Sequence, residues 1–166
     1  MKLLGLAVIV VVVGACGSSS ASNDTGTIGM GFTAAQLCAL ATSMEVGAAI
    51  GRTVPAGVPT GVNAPACVWT ADDGSGATIA ATDPGSVGKI PFGLQGVSGA
   101  HVTPIPHLGD AAFFASGGSN LSPAELDMKK GGRAVTITAG IAGGNMTQGQ
   151  QEAAELAIAT AAAGRM

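Results

Sequence analysis

Tyrosine is absent from this 166-residue chain, tryptophan occurs once, and charged side chains make up only 10% of it. So bland a composition leaves few groups for catalysis. Histidine is nearly as scarce, at His101 and His107, and none of the three cysteines, Cys16, Cys38 and Cys67, stands in C-x-x-C spacing. A redox-active or metal-binding cysteine pair therefore lacks its usual local framework. No basic stretch is longer than Lys129-Lys130, and the formal net charge is −3. That balance argues against nucleic acid or an anionic lipid surface as a partner. Glycine, by contrast, reaches 27 residues, pointing to a small-residue, loop-containing globular domain.

At the N-terminus, Lys2 precedes an uncharged apolar stretch from Leu3 to Val13, followed by Gly14, Ala15 and Cys16. This is the layout of a signal peptide. The stretch falls well short of the roughly 20 apolar residues that a bilayer-spanning helix needs. Val13-Gly14-Ala15-Cys16 resembles the lipobox of bacterial lipoproteins. The resemblance implies that residues 1–15 are removed and that the Cys16 thiol carries a diacylglyceryl group, with palmitate-like chains holding the protein on a membrane. The alternative is an ordinary secretory signal that leaves Cys16 free, and an exposed lone thiol is a liability in an oxidising compartment. Gly17 does not resemble the Asp that retains many lipoproteins at an inner membrane, so the expected address is extracytoplasmic, at the cell membrane or the outer membrane.

Residues 16–31 form a Ser-, Gly- and Thr-rich linker with too little apolar surface to offset the entropy of ordering it. The remaining residues, 32–166, fit one domain. Removing Lys2 from the seven basic side chains leaves six against ten acidic ones. With Cys16 assigned to lipid, Cys38 and Cys67 are left as an isolated pair that an extracytoplasmic compartment oxidises. Closing a loop of about 30 residues contributes roughly 3 to 4 kcal/mol in the chain-entropy model.

Apolar periodicity places the elements. Thr33 is a plausible N-cap, and Leu37, Leu40, Ala41 and Met44 fall on one helical stripe. Ser43 is the expected cap of a short second helix carrying Val46, Ala49 and Ile50 and ending at Gly51. Pro55, Pro59 and Pro65 with Gly57 and Gly61 then argue for an extended loop or irregular edge strand. Cys67–Ala71 and Ala77–Ala81 flank the turn chemistry of Asp72-Asp73-Gly74-Ser75-Gly76, a hairpin that sets Cys67 and Trp69 on one face. A second hairpin turns at Gly131-Gly132, where a two-residue loop opposes Met128 to Val135, Leu126 to Ile137 and Asp127 to Thr136. Thr147 with Gln150 opens a final helix, Glu152 and Glu155 suit its N-terminal half, and Ala154, Ala157, Ile158 and Ala161 form its apolar stripe.

Taken with the lipobox and tether, the Cys-bearing helix, Cys67-Val68-Trp69-Thr70, Leu108-Gly109-Asp110-Ala111-Ala112, the strands around Val135 and the Ala-rich last helix, the chain resembles small secreted lipoproteins of unknown function common in actinobacteria. The resemblance implies an α+β domain with one sheet and a cysteine pair, and it carries no catalytic residues. The elements predict a single antiparallel sheet of about four to six strands, with N-terminal helices and a C-terminal helix packed on one face. The Pro/Gly-heavy stretch from Gly85 to Pro106 departs from the family pattern.

Candidate chemistry is thin. His101, His107 and Asp110 lie within ten positions, so a metal site or a His/Asp dyad is conceivable, yet intervening prolines remove any helix that would set their spacing. Gly96-Val97-Ser98-Gly99-Ala100 approaches a nucleophile elbow but ends in Ala, outside any strand–turn–helix pattern. Lys129, Lys130 and Arg133 surround a hairpin tip where they could hold an anion or solvate the turn. No motif calls for a cofactor. Two function classes survive. One is a lipid-tethered, non-enzymatic module that binds a small molecule or an envelope protein through a sheet face or the Gly85–Leu108 loop. The other is a surface hydrolase or metal-dependent enzyme using His101, His107 and Asp110.

Overall fold

A computed structural model describes residues 31–117, 124–140 and 146–166. The signal stretch, Cys16 and the linker up to residue 30 lie outside the described residues. Among those described, no helix is long and apolar enough to cross a membrane.

The described residues open with two short helices, α1 (Ala34–Cys38) and α2 (Ser43–Ile50). Thr33 caps α1 as expected: its hydroxyl accepts from Gln36 N–H, and the Gln36 side chain accepts in return from Thr33 N–H. The stripe through Met44 does not continue, however. Thr42, rather than Ser43, forms a second capping box with Glu45 and restarts the helix. Reciprocal capping satisfies two backbone donors and outweighs a spacing of seven that any apolar residue can mimic. Met44 is consequently 81% exposed, while Leu37, Leu40 and Ala41 stay buried. Gly51 ends α2 in the left-handed conformation, as its position predicts.

Among the described residues seven antiparallel strands follow: β1 (Val58–Thr60), β2 (Ala66–Thr70), β3 (Gly76–Ala81), β4 (His101–Pro104), β5 (Ala111–Ser116), β6 (Glu125–Lys130) and β7 (Arg133–Gly140). They lie in the order β1-β2-β3-β7-β6-β5-β4. The sheet is larger than expected; its edges β1 and β4 both arise from proline-bearing segments, β1 in the stretch read as a loop or irregular edge strand and β4 in one read as a loop. Proline is tolerated at edges, where its missing N–H faces outward. Both expected hairpins form: the second takes the expected register, with Met128 opposite Val135 and Asp127 opposite Thr136, and in the first Trp69 lies opposite Ala77.

One face of the sheet is apolar. Cys67, Trp69, Ile79, Leu126, Val135 and Ile137 project from it and are essentially inaccessible to solvent. The helix α1 packs on β2 and β3, α2 on β3, and the C-terminal helix α3 (Gln148–Ala163) on β6 and β7. The Cys38–Cys67 disulfide ties α1 to β2, with Cα atoms 5.0 Å apart. Gly57 passes directly over this bridge. A Cβ there would meet Cys67 Sγ at 2.5 Å and the Trp69 ring at 2.6 Å, so only glycine fits.

The helix α3 opens with the expected Thr147–Gln150 capping box. Its buried face nevertheless differs from the expected stripe: Ala154, Glu155, Ile158, Ala159 and Ala162 are buried, while Ala157 is exposed. In a helix this rich in alanine the apolar period barely distinguishes one face from the next. Unsatisfied backbone groups at the end of the β6–β7 pair settle its rotation. Gln151 Nε2 donates to the Ala139 and Ala124 carbonyls (2.9 and 3.4 Å), and Glu155 Oε1 accepts from Ala139 N–H at 3.1 Å. Two polar side chains thus complete a ladder that the strands leave open.

Candidate functional site

Among the described residues the second face of the sheet carries no α-helix. In β6, alternation sends Leu126 and Met128 into the core and Glu125 and Asp127 to this opposite face. Thr136 of β7 stands across from Asp127, and its hydroxyl donates to Asp127 Oδ1 at 2.5 Å. Phe113 of β5 flanks Asp127 on the other side.

Residues 82–100 cross over this face as a strap. Thr82 N–H donates to the Ala134 carbonyl at the edge of the crossing, and a chain of tight turns follows, among them Lys89 N–H to Ser86 O and Leu94 N–H to Pro91 O. Asp83 stiffens the first turn by accepting from Gly85 N–H at 3.0 Å. Gly88, at a φ of +86°, lies so close to Phe113 that a Cβ would fall 2.9 Å from the ring. A side chain there would lift the strap off the sheet.

Between strap and sheet lies a cavity of about 330 Å³. Its floor is Glu125, Asp127 and Thr136; its walls include Thr82, Ser86, Lys89 and Gln95, with Ile90, Pro91 and Phe92 at the apolar side. Asp127 is only 6% exposed, and its Oδ2 has no hydrogen-bond partner among the described residues. Burial pushes the Asp127 carboxyl above the usual carboxylate range, opposed by the Thr136 hydrogen bond. Burial also raises Glu125, and the neighbouring Asp127 charge adds to the effect. Among the described residues the ion pairs are Arg52–Asp73 and Arg165–Glu45, so Lys89 forms none with either carboxyl group. Phe92 projects outward, 89% exposed. A larger but shallower depression of about 470 Å³ over β2, β3 and β7 is lined by Thr70, Thr78, Thr138 and Gln151 without any ionisable group.

The residues singled out from sequence lie elsewhere. His101 is on β4 rather than in a loop; its Nδ1–H donates to the Gly99 carbonyl at 2.9 Å, leaving Nε2 to accept from Ser116 Oγ at 3.3 Å. His107 and Asp110 sit in the turn at the far end of the β4–β5 hairpin, where His107 has a φ of +64° and Asp110 Oδ2 accepts from Gly131 N–H at 2.8 Å. The three side chains are not brought together. Among the described residues no group of three His, Cys, Asp or Glu side chains could hold a metal ion.

Lys130, Arg133 and Asp73 are used structurally. Lys130 Nζ donates to the Ala163 carbonyl and Arg133 to the Met166 carbonyl, both at 2.5 Å, so these cations neutralise the C-terminal end of α3 instead of presenting an anion site. Gly96–Ala100 is a run of exposed turns. Asp73 closes the β2–β3 turn by accepting from Ser75 N–H and pairs with Arg52.

The sequence pairs Asp127 with Thr136 but does not single out Glu125 and Asp127 as cavity-lining carboxyl groups. The available signal was two carboxylates at i and i+2 on one strand face, a costly arrangement if that face were merely buried. Lys89 and Phe92 gave no signal, because the strap's course over the sheet follows from tertiary packing alone. Compared with protein-family models, curated proteins and solved structures, the chain finds no match.

Proposed function

We propose that the chain is a lipid-anchored extracytoplasmic protein of the bacterial envelope, without enzymatic activity, that binds a small polar ligand in the cleft between the strap and the open sheet face. One observation carries this reading. Two carboxyl groups, one of them almost fully buried, face a cavity of about 330 Å³, and among the described residues no cation is paired to them. Burying carboxylates without a counter-charge is destabilising, and apolar residues would fill the space at lower cost. Their presence makes sense when a ligand completes them. A cavity of this size sits at the small end of ligand sites, which span roughly 300 to 1,000 Å³.

The anchor rests on the sequence before Cys16, and the Cys38–Cys67 bridge suits the oxidising compartment to which such a leader delivers the chain. Scattered as they are, His101, His107 and Asp110 supply no motive for a hydrolase. The test is an amide-resonance survey of the full-length protein in detergent against neutral polyols, amines and zwitterions. Shifts clustered at Thr82, Lys89, Glu125 and Thr136 are expected from at least one class. Shifts confined to the 470 Å³ depression, or none in either place, would refute the assignment.

A further inference from the structure

We infer that the cleft is built for a small zwitterion, whose ammonium meets Asp127 and Glu125 and whose anionic group meets Lys89. The inference rests on the binding role proposed for the same cleft and narrows it to a ligand class. Its basis is the coexistence of opposite, uncombined charges on one cavity wall and floor. Lys89 lines the cavity but lies within ion-pair distance of neither carboxyl group. Left to themselves, an ammonium and two carboxylates around so small a volume would gain by closing on each other. Ser86 Oγ donates to the Asp83 carbonyl and Lys89 N–H to the Ser86 carbonyl, which fixes the backbone of the strap at Lys89.

The charges also exclude simpler ligands. A bare cation attracted to Asp127 would meet the like charge of Lys89. A bare anion at Lys89 would meet two carboxyl groups. A molecule carrying both signs satisfies each in place, and Asp127 Oδ2 is the acceptor still open to an N–H donor. The Thr82 and Ser86 hydroxyls, which lie 3.3 Å from each other, and the Gln95 amide can orient it further. Pro91, Ile90 and the exposed Phe92 ring give the apolar side, suited to an aliphatic substituent or to the methylene groups between the two charges. A free amino acid and a zwitterionic phospholipid headgroup share this chemistry.

Calorimetric titration of the full-length protein in detergent tests it, with L-leucine, its methyl ester, N-acetyl-L-leucine, phosphoethanolamine and erythritol as probes. The expected result is binding of L-leucine or phosphoethanolamine, with the ester and the acetyl derivative at least about tenfold weaker than L-leucine. Which zwitterion is tighter assigns the source, free amino acid or headgroup. K89M should abolish the preference for L-leucine over its ester, and D127N the preference over the acetyl derivative; Lys89 is exposed, so K89M leaves folding intact. If the ester or acetyl form binds as tightly as L-leucine, or if erythritol alone binds, the zwitterion inference is overturned while the binding role stands. If no probe binds and no cleft resonance moves, both fall.

Discussion

The two faces of β6 carry opposite chemistries two residues apart. Leu126 and Met128 are sealed beneath α3, whereas Glu125 and Asp127 look into a polar cavity beneath the strap. On the helix-covered face nearly every side chain fills volume, and its rigidity is reinforced by a disulfide. On the open face, charge is held in place by a segment of turns. The contrast separates what the molecule needs to fold from what the proposed ligand site would use, and substitutions on the two faces should behave differently.

The largest effect belongs to the helix-covered face. Trp69 is 1% exposed and lies against the disulfide and Gly57, so Trp69→Ala should cost about 3–5 kcal/mol in denaturant unfolding. A loss below about 1 kcal/mol would mean that this face is not the stabilising one. Reduction of Cys38–Cys67 comes next, with an expected loss of roughly 3 to 4 kcal/mol from the sequence separation of 29 residues, read as a lower unfolding midpoint in reductant.

A third prediction concerns the exception on that face. Desolvation pushes Glu155 up to about 9, and the charges of Glu125 and Glu152 act in the same direction, while the Ala139 hydrogen bond opposes them. The folded state therefore keeps a proton that the unfolded chain releases near 4.5. Stability is full below that pH and declines as pH rises toward 9, by roughly 3 kcal/mol at pH 7. Glu155→Gln should remove this slope and raise stability at neutral pH; an unchanged pH profile would show that Glu155 ionises without penalty.

The smallest effect lies at the periphery. Hydrogen bonds from Arg165 and from Thr42 N–H hold Glu45 down at about 2. The pair is over one-third exposed, so solvent screens it. Glu45→Gln should lower the melting temperature only slightly above pH 4.5, with the difference vanishing as pH falls toward 2. A large loss at neutral pH would place part of the stabilising core in this surface contact.

Much of the helix-covered face was legible in the sequence because local rules and packing agree there. The register of Leu126 with Ile137 and of Met128 with Val135 follows from a two-residue turn and alternation. Three further features, the Cys38–Cys67 bridge, the Gly51 stop and the Thr147 cap, each have a local chemical cause. Where two local rules competed, the sequence misled. Met44 fits the stripe of α1 but follows the Thr42–Glu45 restart, and Ala157 is interchangeable with Ala154 until Gln151 and Glu155 find open backbone groups.

The open face was less legible. His101 and His107 attracted attention by residue type, yet the β4–β5 hairpin sends them to opposite ends. Lys89 and Asp127 are 38 positions apart in the chain, and only the path of the strap brings them to one cavity. No period or motif encodes that path.

The most direct test of the division between the two faces is Asp127→Asn, followed by thermal unfolding and L-leucine titration on the same preparation of full-length protein. The amide keeps an oxygen for the Thr136 hydroxyl and removes the charge. A ligand-binding carboxylate predicts an equal or higher melting temperature together with lost binding. A lower melting temperature with binding intact would make Asp127 a structural group and contradict the account.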